Sequence, residues 1–258
     1  MLRALNPVCL LALSLSAAIP AVAQSPWNGT WKLNQAKSHM TGQSYTVTKN
    51  GNMYHYTDGS FEYNYACDGK DYPTMGGETL SCHQTPTTQE STVKVNGKTV
   101  AVMHGQLEPD GRSFHGTRTN MLPGGGTTVS KATFTRVGQG TGWTGTWQMS
   151  SVSQDHPDVI IYKVTGNSMH LDSPDDHTSW DGKLDGTPAA AHGPTVPAGM
   201  MVSEKAEGPR KLTGELSVNG KQLEHWEDSL SPDGKSITEL SWNPAKPNEK
   251  QTYIFEKQ

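Results

Sequence analysis

Long apolar runs are missing from this 258-residue sequence after its first two dozen positions. No later segment therefore offers the roughly 20 apolar residues that a membrane-crossing helix needs, and membrane insertion is not expected. Apolar residues recurring at a 3.6-residue period are missing too, which makes helix a minor component. No stripe of Lys and Arg marks either half, an absence that argues against nucleic acid as a partner. Glycine-rich phosphate loops in a strand–helix setting do not occur, so no nucleotide cofactor is implied. Cysteine is scarce, at three residues, and hydrophobic residues make up only 33% of the chain, leader included. Interiors built from so little aliphatic material, with Thr, Tyr and His in their place, favour a small polar or amphipathic ligand over a long acyl chain.

What is present begins with a leader. In "MLRALNPVCLLALSLSAAIPAVA", Arg3 supplies a positive start, residues 9–18 an apolar run, and Ala21-Val22-Ala23 a small-residue cleavage signal. Residues 1–23 read as a signal peptide, so a periplasmic or secreted location is expected. Cleavage removes Cys9 and leaves Cys67 and Cys82, an even pair that reads as a structural disulfide in an oxidising compartment.

The remainder is written twice. "WNGTW" at Trp27 returns as "WTGTW" at Trp143, "VNGK" at Val95 returns at Val218, and "PDGRS" at Pro109 returns as "PDGKS" at Pro232. The offset is 116 at the start, 113 at the Asp-Gly-Lys turns, and 123 at the Val-Asn-Gly-Lys and Pro-Asp-Gly turns. The second copy thus carries about ten extra residues, in "LDGTPAAAHGPTVPAG". A repeat of this length is a domain, not a solenoid unit. Residues 24–138 hold 10 Lys/Arg against 8 Asp/Glu, whereas residues 139–258 hold 10 against 17. Such unequal charge suggests that the copies have different tasks.

Within each copy the local signals are strands and tight turns. "STVKVNGKTVAVMHGQL" is two alternating runs joined at Asn96-Gly97, the pair that tolerates positive φ at both turn positions. "FEYNYA" sets Phe61, Tyr63 and Tyr65 on one face, and Tyr54 and Tyr56 share another. About eight short strands per copy, joined in sequence, read as a meander that hides its edges by closing on itself. The expected fold class is all-β, with two tandem up-and-down antiparallel β-barrels of about eight strands each. Their expected bounds are 24–137 and 143–258, with 138–142 as a linker.

Gly29-Thr30-Trp31 and Gly145-Thr146-Trp147 on the first strands, with Phe134 and Arg136, and Phe255 and Lys257, on the last, resemble the lipocalin and fatty-acid-binding-protein group. "GTWKLNQAKS" also resembles the opening of secreted bacterial proteins of unknown function. The resemblance implies a lipocalin-like barrel in each copy, with a tryptophan closing each floor under a basic side chain. Carried over copy by copy, it implies Trp31 under Arg136 and Trp147 under Lys257, each a cation–π contact.

Two groups of residues carry candidate chemistry. In the first copy, Tyr54, Tyr56, Tyr63, Tyr65, His104 and Arg118 would give an inward face apolar walls, phenol hydroxyls and a cation for an anionic group. His104 is placed there by its alternation with Val100 and Val102, and Arg118 by its alternation with Phe114 and Gly116. In the second copy, "HLDSPDDHTSWDGK" offers His170, Asp172 and His177, donors suited to a divalent metal, although the same string reads as a solvated acidic turn. The leading expectation is an exported, non-catalytic protein that binds a small amphipathic or hydrophobic ligand, without a cofactor. The alternatives are a metal-dependent enzyme using the second copy, and a structural or interaction module of the cell envelope with both barrels packed solid.

Overall fold

Twenty short strands and no helix make up the described residues, 25–258, of the computed structural model. The leader, with the signal peptide read at 1–23, lies outside them. The strands form two antiparallel sheets of ten, not the eight expected, and they include the short strands Tyr72–Pro73 and Ala189–His192.

The first sheet contains β2 (Ser44–Asn50), β3 (Met53–Thr57), β4 (Glu62–Tyr65), β5 (Tyr72–Pro73) and β6 (Glu78–Gln84). It continues through β7 (Thr88–Val95), β8 (Lys98–Leu107), β9 (Ser113–Met121) and β10 (Thr127–Val137). Its tenth strand is β11 (Gly145–Gln154), which lies between β10 and β2 although it opens the second repeat. The second sheet, a closed barrel, runs from β12 (Val159–Thr165) to β20 (Gln251–Lys257). It is completed by β1 (Gly29–Leu33), which opens the first repeat and pairs with both β12 and β20. The two copies have therefore exchanged their first strands within one chain.

This exchange corrects the expected domain bounds. Residues 138–142 are not a linker but the turn of the β10–β11 hairpin, local antiparallel neighbours that pair directly. The real crossings are residues 34–43 and 155–158, and Gln35 of the first bonds the last residue of β11, where the second begins. Its amide donates to Gln154 O at 2.9 Å and accepts from Gln154 N at 2.9 Å.

The cation–π contacts are exchanged in the same way. Arg136 lies 4.1 Å from the Trp147 ring and Lys257 4.9 Å from the Trp31 ring, the reverse of the expected partners. Both are cross-strand neighbours, Arg136 opposite Trp147 and Lys257 opposite Trp31. The repeated Trp-x-Gly-Thr-Trp now has a local explanation. Its second indole donates to the carbonyl of its first tryptophan, from Trp31 to Trp27 at 2.9 Å and from Trp147 to Trp143 at 3.1 Å. The glycine between them has positive φ, 143° at Gly29 and 120° at Gly145, and a β-carbon there would collide with the basic side chain.

Both sheets are plugged at this tryptophan end. Registers place the opposite ends of the two barrels against each other. Ala198 N donates to Gly76 O at 2.7 Å, Ser60 Oγ to Asn243 Oδ1 at 2.5 Å, and Ser44 Oγ to Glu249 Oε1 at 2.7 Å. The barrels thus meet mouth to mouth, and residues 197–199, from the insertion unique to the second copy, lie on the rim of the first. In the first sheet β4 and β5 are not hydrogen-bonded to each other. The disulfide between Cys67, just after β4, and Cys82 on β6 crosses that seam, alongside a Gly69 N to Cys82 O bond of 2.9 Å.

Candidate functional site

The first barrel is hollow. A cavity of about 470 Å³ opens between its walls, within the size range of small-molecule sites. Its origin is visible at three small residues. Gly105 on β8 and Gly116 on β9 are cross-strand partners, and Ala132 on β10 is the partner of Gly116. All three line the cavity.

The same positions of the second copy carry Asp228, Glu239 and Tyr253, and Asp228 and Glu239 are again cross-strand partners. Side chains fill there what glycines leave empty. Asp228 and Glu204 are fully buried, and none of their four carboxyl oxygens has a hydrogen-bond partner among the described residues. Burial first, then the charge of Glu239, pushes the Glu204 carboxyl up to about 8. Burial likewise raises Asp228, next to Glu204, and Glu239, next to Asp228, well above the ordinary carboxylate range. Glu224 is raised by burial while Ser241 donates to it. Burial thus favours the neutral form of these acids, since an unpaired buried charge is far costlier than a neutral carboxyl.

The cavity of the first barrel is mostly aromatic. Tyr45, Tyr56, Tyr63 and Tyr65 climb one wall along β2, β3 and β4, with ring centroids 4.9 Å apart for Tyr56–Tyr63 and 5.1 Å for Tyr45–Tyr56. The two faces that sequence kept apart are one face, because Tyr54 lies opposite Tyr65 and Tyr56 opposite Tyr63. Phe114 and Phe134 stack at 4.7 Å and continue that wall, since Phe134 meets Tyr45 edge-on at 5.6 Å, and Trp147 meets Phe114 edge-on at the floor. Burial pushes the Tyr65 phenol up to about 12 and also raises Tyr45, Tyr56 and Tyr63. These phenols are neutral donors at any physiological pH.

Each expected site residue has a definite place. Tyr56, Tyr63 and Tyr65 line the cavity. Tyr54 is buried beside it, stacked on Tyr65 at 5.4 Å, with its hydroxyl accepting from Gln84 at 3.0 Å. Arg118 shares the inward face of Phe114 and Gly116 and lies at the mouth, where part of its side chain reaches solvent. Enough protein surrounds its guanidinium for burial to lower its pKa, while the charge of Glu78 raises it. Its Nε donates to Asn120 Oδ1 at 2.7 Å, and its Nη1 has only the Met103 sulfur, at 3.9 Å.

His104 requires a correction. It borders the cavity, but its side chain is half exposed on the outer face, 3.6 Å from Glu90. A β-bulge explains this: Lys94 pairs with Thr99 and Val93 with Ala101, so Val100 is the extra residue. Beyond the bulge the alternation inverts, putting Ala101, Met103 and Gly105 inside and Val102 and His104 outside.

The metal triad is also dispersed. His170 and Asp172 lie on the outer face of β13 (Ser168–Ser173), where His170 Nδ1 is 2.8 Å from Asp181 Oδ1 across to β14 (Thr178–Lys183). His177 is exposed in the β13–β14 turn and leans toward Gly124 of the first barrel's rim. No group of three or more His, Cys, Asp or Glu among the described residues is arranged to hold a metal.

Sequence reasoning did not find Tyr45, Met103, Glu78 and the glycine pair, nor the buried acids of the second barrel. The repeat itself held a signal: Gly105 and Gly116 stand against Asp228 and Glu239 at one common offset. Comparison with known proteins yields no matching family model and no matching curated protein.

Proposed function

We propose that this is an exported, non-catalytic carrier, lipocalin-like in design, that binds a small amphipathic ligand in its first barrel. The observation that carries this reading is the roughly 470 Å³ aromatic cavity, opened by Gly105, Gly116 and Ala132 and rimmed by Arg118. Apolar walls with a few placed polar groups are what a small-molecule site requires. The filled second barrel serves as partner and cap, its mouth pressed against the rim of the first.

The test is a cavity-filling variant. A β-carbon at Gly116 would lie 3.6 Å from Phe114 and 3.7 Å from Phe134, ordinary contact distances, so Gly116→Leu enters the cavity without displacing the backbone. A fluorescent amphipathic probe should bind the native protein, quench Trp143 or Trp147 at the cavity floor, and lose at least about tenfold in affinity in the variant. Equal binding by Gly116→Leu, with an unchanged far-ultraviolet spectrum, would place the probe elsewhere and defeat the proposal.

A further inference from the structure

Nine aromatic rings line the cavity, and they include three of the four phenylalanines in the chain. Aliphatic side chains are the minority, chiefly Val47, Leu80, Val93 and Val152. Ring faces and edges form a continuous wall, from the tyrosines of β2–β4 through the Tyr45–Phe134 contact to Phe114. Such walls gain from offset or edge-on stacking against another ring, an increment of about 0.5–1.5 kcal/mol per pair that a flexible alkyl chain does not supply.

The polar groups narrow the choice further. Among the described residues, Tyr54 and Tyr72 have hydrogen-bond partners for their hydroxyls, whereas Tyr45, Tyr56 and Tyr63 have none. Facing the cavity, they are donors awaiting oxygens. A hydrocarbon ligand that excluded water would leave them unsatisfied, at about 1–3 kcal/mol for each buried group. At the mouth, no carboxylate lies within salt-bridge distance of Arg118 among the described residues, and its Nη groups hold only a thioether contact. Glu78 is near enough to act on Arg118 through its charge. Burial nonetheless raises the Glu78 carboxyl, which accepts from Thr74 Oγ1 at 3.4 Å, so it is a weak competitor for the guanidinium.

Building on the carrier reading, we infer that the ligand is an oxygen-substituted aromatic carboxylate. Its ring body lies against the continuous aromatic wall of the tyrosines and the Phe114–Phe134 pair, its ring oxygens accept from the Tyr56 and Tyr63 hydroxyls, and its carboxylate meets Arg118 at the mouth. Guanidinium and carboxylate then form the two-point pair for which arginine is shaped.

Three probes test this on the full chain by calorimetry: 6-hydroxy-2-naphthoate, the neutral 2-naphthol, and decanoate as an aliphatic carboxylate. Hydroxynaphthoate should bind at least about tenfold more tightly than either of the others, the effect of one additional charge-assisted or stacking interaction. Arg118→Gln should weaken hydroxynaphthoate by about tenfold and leave 2-naphthol unchanged. Tyr56→Phe, which keeps the ring, should weaken hydroxynaphthoate several-fold and leave decanoate unaffected. If decanoate binds as tightly as the aromatic acid, or if Arg118→Gln weakens 2-naphthol equally, the aromatic-anion assignment falls while the carrier reading stands. If none of the three binds the native protein, both fall together.

Discussion

Glu204 stands where the first repeat has Cys82, on the same inward face of the corresponding strand, and this one difference changes the chemistry of an interior. Cys82 is buried in a bond to Cys67, whereas Glu204 is buried with nothing to pair with. Its carboxyl is raised in the folded protein from the ordinary 4.5 to about 8. The stabilisation from holding it protonated is complete below pH 4.5 and is lost as pH rises through 8. The second barrel should therefore weaken across that window, by at most about 1.4 kcal/mol per pH unit for each such carboxyl. Glu204→Gln, which mimics the protonated form, should raise the melting temperature at pH 8 and change it little at pH 5. Scanning calorimetry at the two pH values checks this, and a variant less stable at pH 8 would mean the carboxylate has an attractive partner there.

The elements show what a sequence can and cannot disclose. Alternation and Asn-Gly turns are local, so the hairpins of β7–β8 and of β17 (Lys211–Val218) with β18 (Lys221–Leu230) were legible. Which face points inward was not, because one extra residue at Val100 inverts the pattern and moves His104 from wall to surface. Tyr56, Tyr63 and Tyr65 of the wall were legible as residues, though Tyr45 was not, and their union in a single face depends on the β3–β4 register. Least legible was the exchange of β1 and β11. Both carry the same Trp-x-Gly-Thr-Trp, so each fits either barrel, and only the course of residues 34–43 and 155–158 decides between them. The interchangeability has a measurable consequence. A half-chain of residues 24–137 keeps β1 but lacks β11, and its barrel can be completed only by a first strand. Two copies should exchange β1 strands and run as a dimer in light scattering, whereas a stable monomer would show that β1 can fold back onto its own repeat.

For the molecule as a whole, the two barrels divide the labour through a few residues. Glycines hollow one, acids and a tyrosine fill the other, and the mouths are joined. The hollow barrel is also the one whose ring of strands is left open, between β4 and β5, and the Cys67–Cys82 bond spans that opening. In the chain-entropy view, closing a loop of 15 residues stabilises the fold by about 3 kcal/mol. Cys67→Ser with Cys82→Ser should lower stability in urea by about that amount and weaken probe binding in the first barrel. The pH-dependent unfolding of the second barrel should be unchanged. A single transition, lowered by the double substitution and still carrying that pH dependence, would mean that the barrels unfold as one unit.

The position of β1 also sets an order of events. Among the described strands it is made first, yet it can be seated only late, because its neighbours β12 and β20 are made far later. Its far partner is β20, the last of the described strands, and Gln258 N donates back to Thr30 O at 2.9 Å. An unfinished chain therefore holds a nearly complete first barrel with a free tryptophan-bearing tail. Contacts of such long sequence separation form slowly. Completion of the second barrel is a clasp that joins β1 to β20, and removing the last residues of β20 would loosen β1.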